Sequence, residues 1–160
     1  MAKSKYLNDD LFSRAELIRL RHPDNRRDAR REAEAAAGES LLQALVAAAA
    51  IIAHADGQMD IAERHRIIET FTTSAPLNGF SVADLANELA QHLRAYAHDP
   101  ISAERDALLA LGLLDLAEKE KELIAGMCSR VIAADGMVHP AELGALHRIE
   151  RVLGLNEATR

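Results

Sequence analysis

The chain has 160 residues, a formal charge of −6 and one cysteine, Cys128. That length suits a single domain with a short extra arm and can bury a core without staples. A lone cysteine excludes an internal disulfide, and the acidic balance argues against nonspecific nucleic-acid binding. Aromatic residues are 3% and Trp is absent although 49% of residues are hydrophobic, so Ala and Leu must fill the core. Such a composition favours closely packed helices.

Residues 1–37 carry nine Lys or Arg against seven Asp or Glu, whereas the rest has 10 basic and 18 acidic groups. Leu7, Leu11, Phe12, Ala15, Ile18 and Leu20 predict a helix over about residues 8–20. After His22-Pro23-Asp24, the run NRRDARREAEAAA predicts a second helix ending near Gly38. Acids interleave Arg26, Arg27, Arg30 and Arg31, and no aromatic platform accompanies them, so a solvated helix face, or one docked against the acidic body, is expected. Nucleic-acid or acidic-membrane binding by this arm is the alternative.

A third helix begins at Glu39 or Ser40 and runs through LLQALVAAAAIIAHA, apolar on nearly every face, which places it at the centre of the body. Its apolar part, Leu41 to Ala53, is too short for a membrane span. It stops at Asp56-Gly57. Asp60 and Glu63 form a capping box for the next helix, which Thr72, Thr73, Ser74 and Pro76 end. Ser81 and Asp84 cap a helix that closes at His98-Asp99-Pro100, and Ser102 caps another that breaks near Asp115. A helix from about Ala117 to Ala134 ends at Asp135-Gly136. Pro140 opens the last helix, Gly154 ends it, and residues 156–160 read as a flexible tail. Cys128 falls in an apolar run and reads as a buried thiol.

One turn occurs twice. IIAHADGQMDIAERHRII spans residues 51–68 and RVIAADGMVHPAELGALH spans 130–147, so that Asp56-Gly57 and Glu63 match Asp135-Gly136 and Glu142. The fold expected is all-α: a compact bundle of about seven helices with an internal pseudo-two-fold repeat of helix–acidic turn–helix units. The boundaries are a helical arm over 1–37, a body over 38–155 and the tail. If the two turns meet, four carboxylates gather at one spot, and Asp60 adds another oxygen source. Hard cations want oxygen ligands. The spacing is not that of an EF-hand, because Gly follows the first Asp directly. Capping alone explains Asp60 and Glu63 well. It explains Asp56 and Asp135 less well, since they sit at helix C-terminal ends, where negative charge is unfavourable.

The stretches AAIIAHADGQMDIAERHRII and CSRVIAADGMVHPAELGALHRIERVLGL resemble a TerB-like domain, the family of the tellurite-resistance protein TerB, over roughly Leu41 to Leu155. The resemblance implies a compact helical bundle, a divalent cation at the acidic turns, and a link to tellurite or broader chemical stress within a multiprotein assembly. The residues that match the family's acidic turns are Asp56, Glu63, Asp135 and Glu142, and Asp60 and His139 beside them complete the candidate metal set. The chain departs from the pattern at His139, which stands where the first turn has Asp60. His54 and His65 lie two residues from Asp56 and Glu63, a spacing that makes no acid–base dyad on a helix. The expectation is a non-enzymatic cytoplasmic protein that binds Ca²⁺ or Mg²⁺ and acts through protein partners. A metal-independent helical adaptor is the alternative.

Overall fold

The computed structural model describes residues 23–57, 59–73, 80–134 and 136–155. Among them the chain is all helical: α1 (Pro23–Ala53), α2 (Ile61–Thr72), α3 (Val82–His98), α4 (Pro100–Leu113), α5 (Glu118–Ala133) and α6 (Pro140–Leu153). The expected helix over 8–20 and the tail lie outside the described residues. By contacts the chain divides into two compact units, Met1–Ala37 and Gly38–Arg160.

One expectation is corrected. Two helices were expected on either side of Gly38, but α1 runs unbroken from Pro23 to Ala53. A glycine inside a helix costs only about 1 kcal/mol relative to Ala, which the Ala-rich flanks offset. Gly38 also faces Phe80: a β-carbon there would lie 3.4 Å from the Phe80 ring, so the small residue sits at a helix–loop contact. In the first unit Arg27, Arg30 and Arg31 are exposed, and Arg30 Nε donates to Glu34 at 2.8 Å, one turn on.

In the second unit the core forms around the apolar half of α1. From Leu41 to Ala53 every side chain but one is buried, and the exception, Gln43, is the sole polar residue there. Its neighbours contribute stripes at helical spacing: Ile67 and Phe71 from α2, Leu85 and Leu89 from α3, Ile124, Met127 and Ile132 from α5, Leu146, Ile149 and Leu153 from α6. Each such side chain contributes about 1.5–3 kcal/mol by leaving water. Alanines at 44 and 47–50 leave little between the α1 backbone and its neighbours, which is how so few aromatics suffice. α2 packs on α3 and α5, α4 on α3 and α6, and α5 on α6. The stretch from Arg27 to Ala53 is long and apolar enough, by length and composition alone, to cross a membrane, because the alanines before Gly38 extend the run. Its Leu41–Ala53 part is buried within the helical core.

Helix starts follow local chemistry. Asp60 and Ser81 cap α2 and α3, as their spacing predicts. At α4 the expected cap, Ser102, is corrected to Asp99. Pro100 fixes the first helical residue, and Asp99 Oδ1 accepts from Ser102 N–H at 3.2 Å, so Ser102 donates where it was expected to accept.

Candidate functional site: an acidic cavity under two helix turns

Both acidic turns end a helix in the same local way. After α1, Gly57 N–H donates to His54 O at 3.0 Å, and Gly57 has φ +102°. After α5, Gly136 N–H donates to Ala133 O at 3.1 Å, and Gly136 has φ +78°. Left-handed backbone after a tightened last turn is what glycine permits and a β-carbon resists. The next helix then starts with a carboxylate at its third position folded back over the cap. Glu63 Oε2 accepts from Asp60 N–H at 2.8 Å, and Asp60 Oδ1 accepts from Glu63 N–H at 2.7 Å. Glu142 Oε2 accepts from His139 N–H at 3.1 Å. These bonds use one oxygen of each glutamate and hold the side chain over its own first turn.

Those first turns reach one place. A small cavity is lined by Ile52 and Ala53 of α1, Glu63, Arg66 and Ile67 of α2, Val131 of α5 and Glu142 of α6. Its volume is about 10 Å³, on the order of what one water molecule needs. The glutamates of the two turns therefore share a cavity with a greasy floor and an acidic mouth. Burial raises the Glu63 carboxyl above its ordinary value. The charges of Asp60 and Asp56 raise it further, against the backbone hydrogen bond from Asp60 and the attraction of Arg66.

Of the six site residues read from sequence, Glu63 and Glu142 are brought together at the cavity. Asp56 and Asp60 do not line it, but both act electrostatically on Glu63. His139 is exposed at the start of α6. Asp135 lies outside the described residues. Sequence reading missed Arg66, which stands one helical turn after Glu63 on the same face; the i, i+3 spacing could have flagged it. It also missed a polar group deeper in the fold. The His54 ring stacks on Tyr96, and His92, one turn before Tyr96 on α3, is held below its usual value by burial.

The donor chemistry suits a hard cation in part. Mg²⁺ is held by one or two carboxylates while keeping several of its waters. Glu63 and Glu142 offer two carboxylates, but a cavity of about one water's volume has no room for the waters such an ion keeps, which would lie outside its mouth. Ca²⁺ takes about six to eight oxygens, more than this pair supplies. Among the described residues no group of three or more His, Cys, Asp or Glu side chains gathers so as to hold a metal ion. A second cavity, about 150 Å³, lies where Leu111, Asp115, Lys121 and Leu153 approach at the ends of α4 and α6. Cys128 is buried, and burial pushes its thiol up to about 12.

Against known proteins, the family model described as tellurite resistance protein TerB matches residues 42–160. No curated protein and no solved structure gives a match.

Proposed function

Since the chain belongs to the TerB family, we propose that it is a non-catalytic module that binds a divalent cation at the paired glutamates, Mg²⁺ or, with most of its oxygens drawn from water, Ca²⁺, and works through protein partners in a tellurite or related stress response. The observation that carries this is the convergence of Glu63 and Glu142 on one cavity. The two glutamates stand in the matching positions of the two turns, so the reading extends to a pseudo-two-fold pair of helix–acidic turn–helix units sharing an ion. Glu63 and Glu142 would hold the ion, with water completing its shell. Asp56 and Asp60 would supply surrounding negative charge. The ion would offset the burial and, beyond it, the repulsion that raise Glu63, and would tie α2 to α6 across the cavity. The cavity's size also supports a role without catalysis, because organic substrates occupy clefts of about 300–1,000 Å³.

A second reading has its own observation. Arg66 lines the same cavity and already attracts Glu63. In that reading the guanidinium supplies the positive charge, and the body is a metal-independent helical scaffold.

Calorimetric titration of the metal-free chain with Mg²⁺, Ca²⁺, Mn²⁺ and Zn²⁺ separates the two. The cation reading expects saturable heat with Mg²⁺ or Ca²⁺, lost in Glu63→Gln with Glu142→Gln. Absence of heat with every ion would leave the scaffold reading standing. The protein is placed in the cytoplasm in this proposal, where millimolar Mg²⁺ would suit a weak, water-rich site.

A further inference from the structure

Apart from Val82 at the start of α3, the large apolar side chains that the described residues leave in solvent fall into two groups, one of them on α4. Ile61 is 76% exposed, Met137 72%, Val138 54% and Leu143 41%. All four belong to the first turns of α2 and α6 or to the approach to α6, the segments that bring Glu63 and Glu142 to the shared cavity. Ile61 follows Asp60, and Leu143 follows Glu142. Exposed apolar residues interleaved with carboxylates at two helix starts that share a cavity make a surface that is greasy and, with Arg64 and Arg66 set against Asp56, Asp60, Glu63 and Glu142, negative on balance. Single exposed apolar residues need no explanation, but a group rimmed by charge marks an interaction site.

We infer that this face, built from Ile61, Met137, Val138 and Leu143 around Asp60, Glu63 and Glu142, docks a basic amphipathic segment of a partner protein. The inference deepens the proposed function by naming the chemistry of the partner. Charge decides the occupant. From residue 38 onward the chain holds 18 acidic groups against 10 basic ones, so a segment bearing Lys or Arg beside Leu or Ile meets attraction and apolar contact at once. Another exposed apolar group, Ile101, Leu109 and Leu113 on α4, lacks that complementarity. The charges near it pair one to one, Arg105 with Asp106 at 3.1 Å and Glu104 with Arg148 at 2.7 Å, whereas at the cavity Glu63 and Glu142 share the single guanidinium of Arg66. The cavity beneath the acidic face is too small to take a guanidinium, so the partner's cations lie across its mouth.

The test uses the full chain in EDTA and a labelled helical peptide with Leu and Lys on opposite faces, read by fluorescence anisotropy. A control peptide replaces each Leu with Ser at unchanged charge. The Leu/Lys peptide should bind about ten-fold or more tightly than the control, as expected when apolar anchors dominate affinity. Binding should weaken as salt rises from about 50 to about 300 mM, because exposed charges are screened beyond the Debye length. Ile61→Ser with Val138→Ser and Leu143→Ser should lose about ten-fold, whereas Ile101→Ser with Leu109→Ser and Leu113→Ser should stay within about two-fold. All these positions are exposed, and circular dichroism checks that both variants remain folded. Equal binding of the two peptides, retention by the first variant, or loss in the α4 variant overturns the inference. So does binding that appears only when Mg²⁺ or Ca²⁺ is added. Because the assay is run without metal, a failed cation titration leaves this result standing on its own.

Discussion

Tyr96 of α3 stacks on His54 at the end of α1, with ring centroids 3.9 Å apart and planes inclined by 13°. His54 Nδ1 lies 2.8 Å from Ala50 O, and a carbonyl only accepts, so that nitrogen carries the hydrogen. The imidazole is thereby fixed at both a face and an edge, two residues before Asp56. The stack anchors the entrance to the first acidic turn on a helix that contributes nothing to the cavity itself.

The Tyr96 hydroxyl is buried and has no hydrogen-bond partner among the described residues, while the ring is 5% exposed. A buried hydroxyl without a partner costs stability, whereas the ring's packing supplies it. Tyr96→Phe should therefore leave the urea midpoint unchanged or raise stability by up to about 1 kcal/mol. Tyr96→Ala should lower it by about 3–5 kcal/mol, as for other large core truncations. A clear loss in Tyr96→Phe would mean that a water bonds the hydroxyl in solution.

The start of α5 is incomplete. Glu120 Oε2 accepts from Ala117 N–H at 2.8 Å, but alanine has no side-chain oxygen to return the bond, and Glu120 N–H falls back on Ala117 O at 2.9 Å. Ala117 already has the extended backbone of a cap, φ −67° and ψ 154°. Ala117→Ser should complete the reciprocal pair and raise stability by about 0.5–2 kcal/mol, read from the thermal midpoint. Asp60→Ala makes the opposite change at α2 and should cost about 1 kcal/mol.

Two glycines with open space at the β-carbon should respond with opposite signs. Nothing lies within 4 Å of a β-carbon built at Gly57 or at Gly126. Gly57 sits at φ +102°, so Gly57→Ala should cost about 1–2 kcal/mol from backbone strain alone. Gly126 lies within α5, so Gly126→Ala should add about 0.5–1 kcal/mol. If both changes were neutral, the left-handed turn at Gly57 would not persist in solution.

Much of this was legible in the sequence because it is local. Asp60–Glu63, Ser81–Asp84, Pro140 and Gly154 announce helix ends through bonds that span three or four residues. The break at Gly38 was misread because a glycine's cost is small beside the burial of the helix that carries it. The sharing of a cavity by Glu63 and Glu142 was suggested by the repeated turn but depends on how α2 and α6 meet α5, which no local pattern encodes. The His54–Tyr96 stack was missed for the same reason, and Arg66, though one turn from Glu63, gains its place at the cavity only where α6 brings Glu142. Each is an ordinary residue until a neighbouring helix gives it a partner.

The Glu63 carboxyl ties stability to pH. Burial, then Asp60 and Asp56, raise it against its ordinary value of about 4.3. A raised carboxyl means that the folded chain holds the proton more tightly than the unfolded chain. Its contribution to stability is therefore fully present below the unfolded value and is lost as pH rises through the folded one. Glu63→Gln keeps an oxygen for the Asp60 N–H but carries no charge to ionise. Its stability relative to the parent should be least favourable at acid pH, below the ordinary carboxylate value, and improve as pH rises through the raised value of Glu63. Urea unfolding of both chains from pH 4 to 7 checks the sign. Mg²⁺ then gives a second reading on the same pair. If the ion binds, it should restore the parent's loss at neutral pH and do little for the Gln variant, since only the charged carboxylate gains by it. An equal response in both chains would place any bound ion away from Glu63.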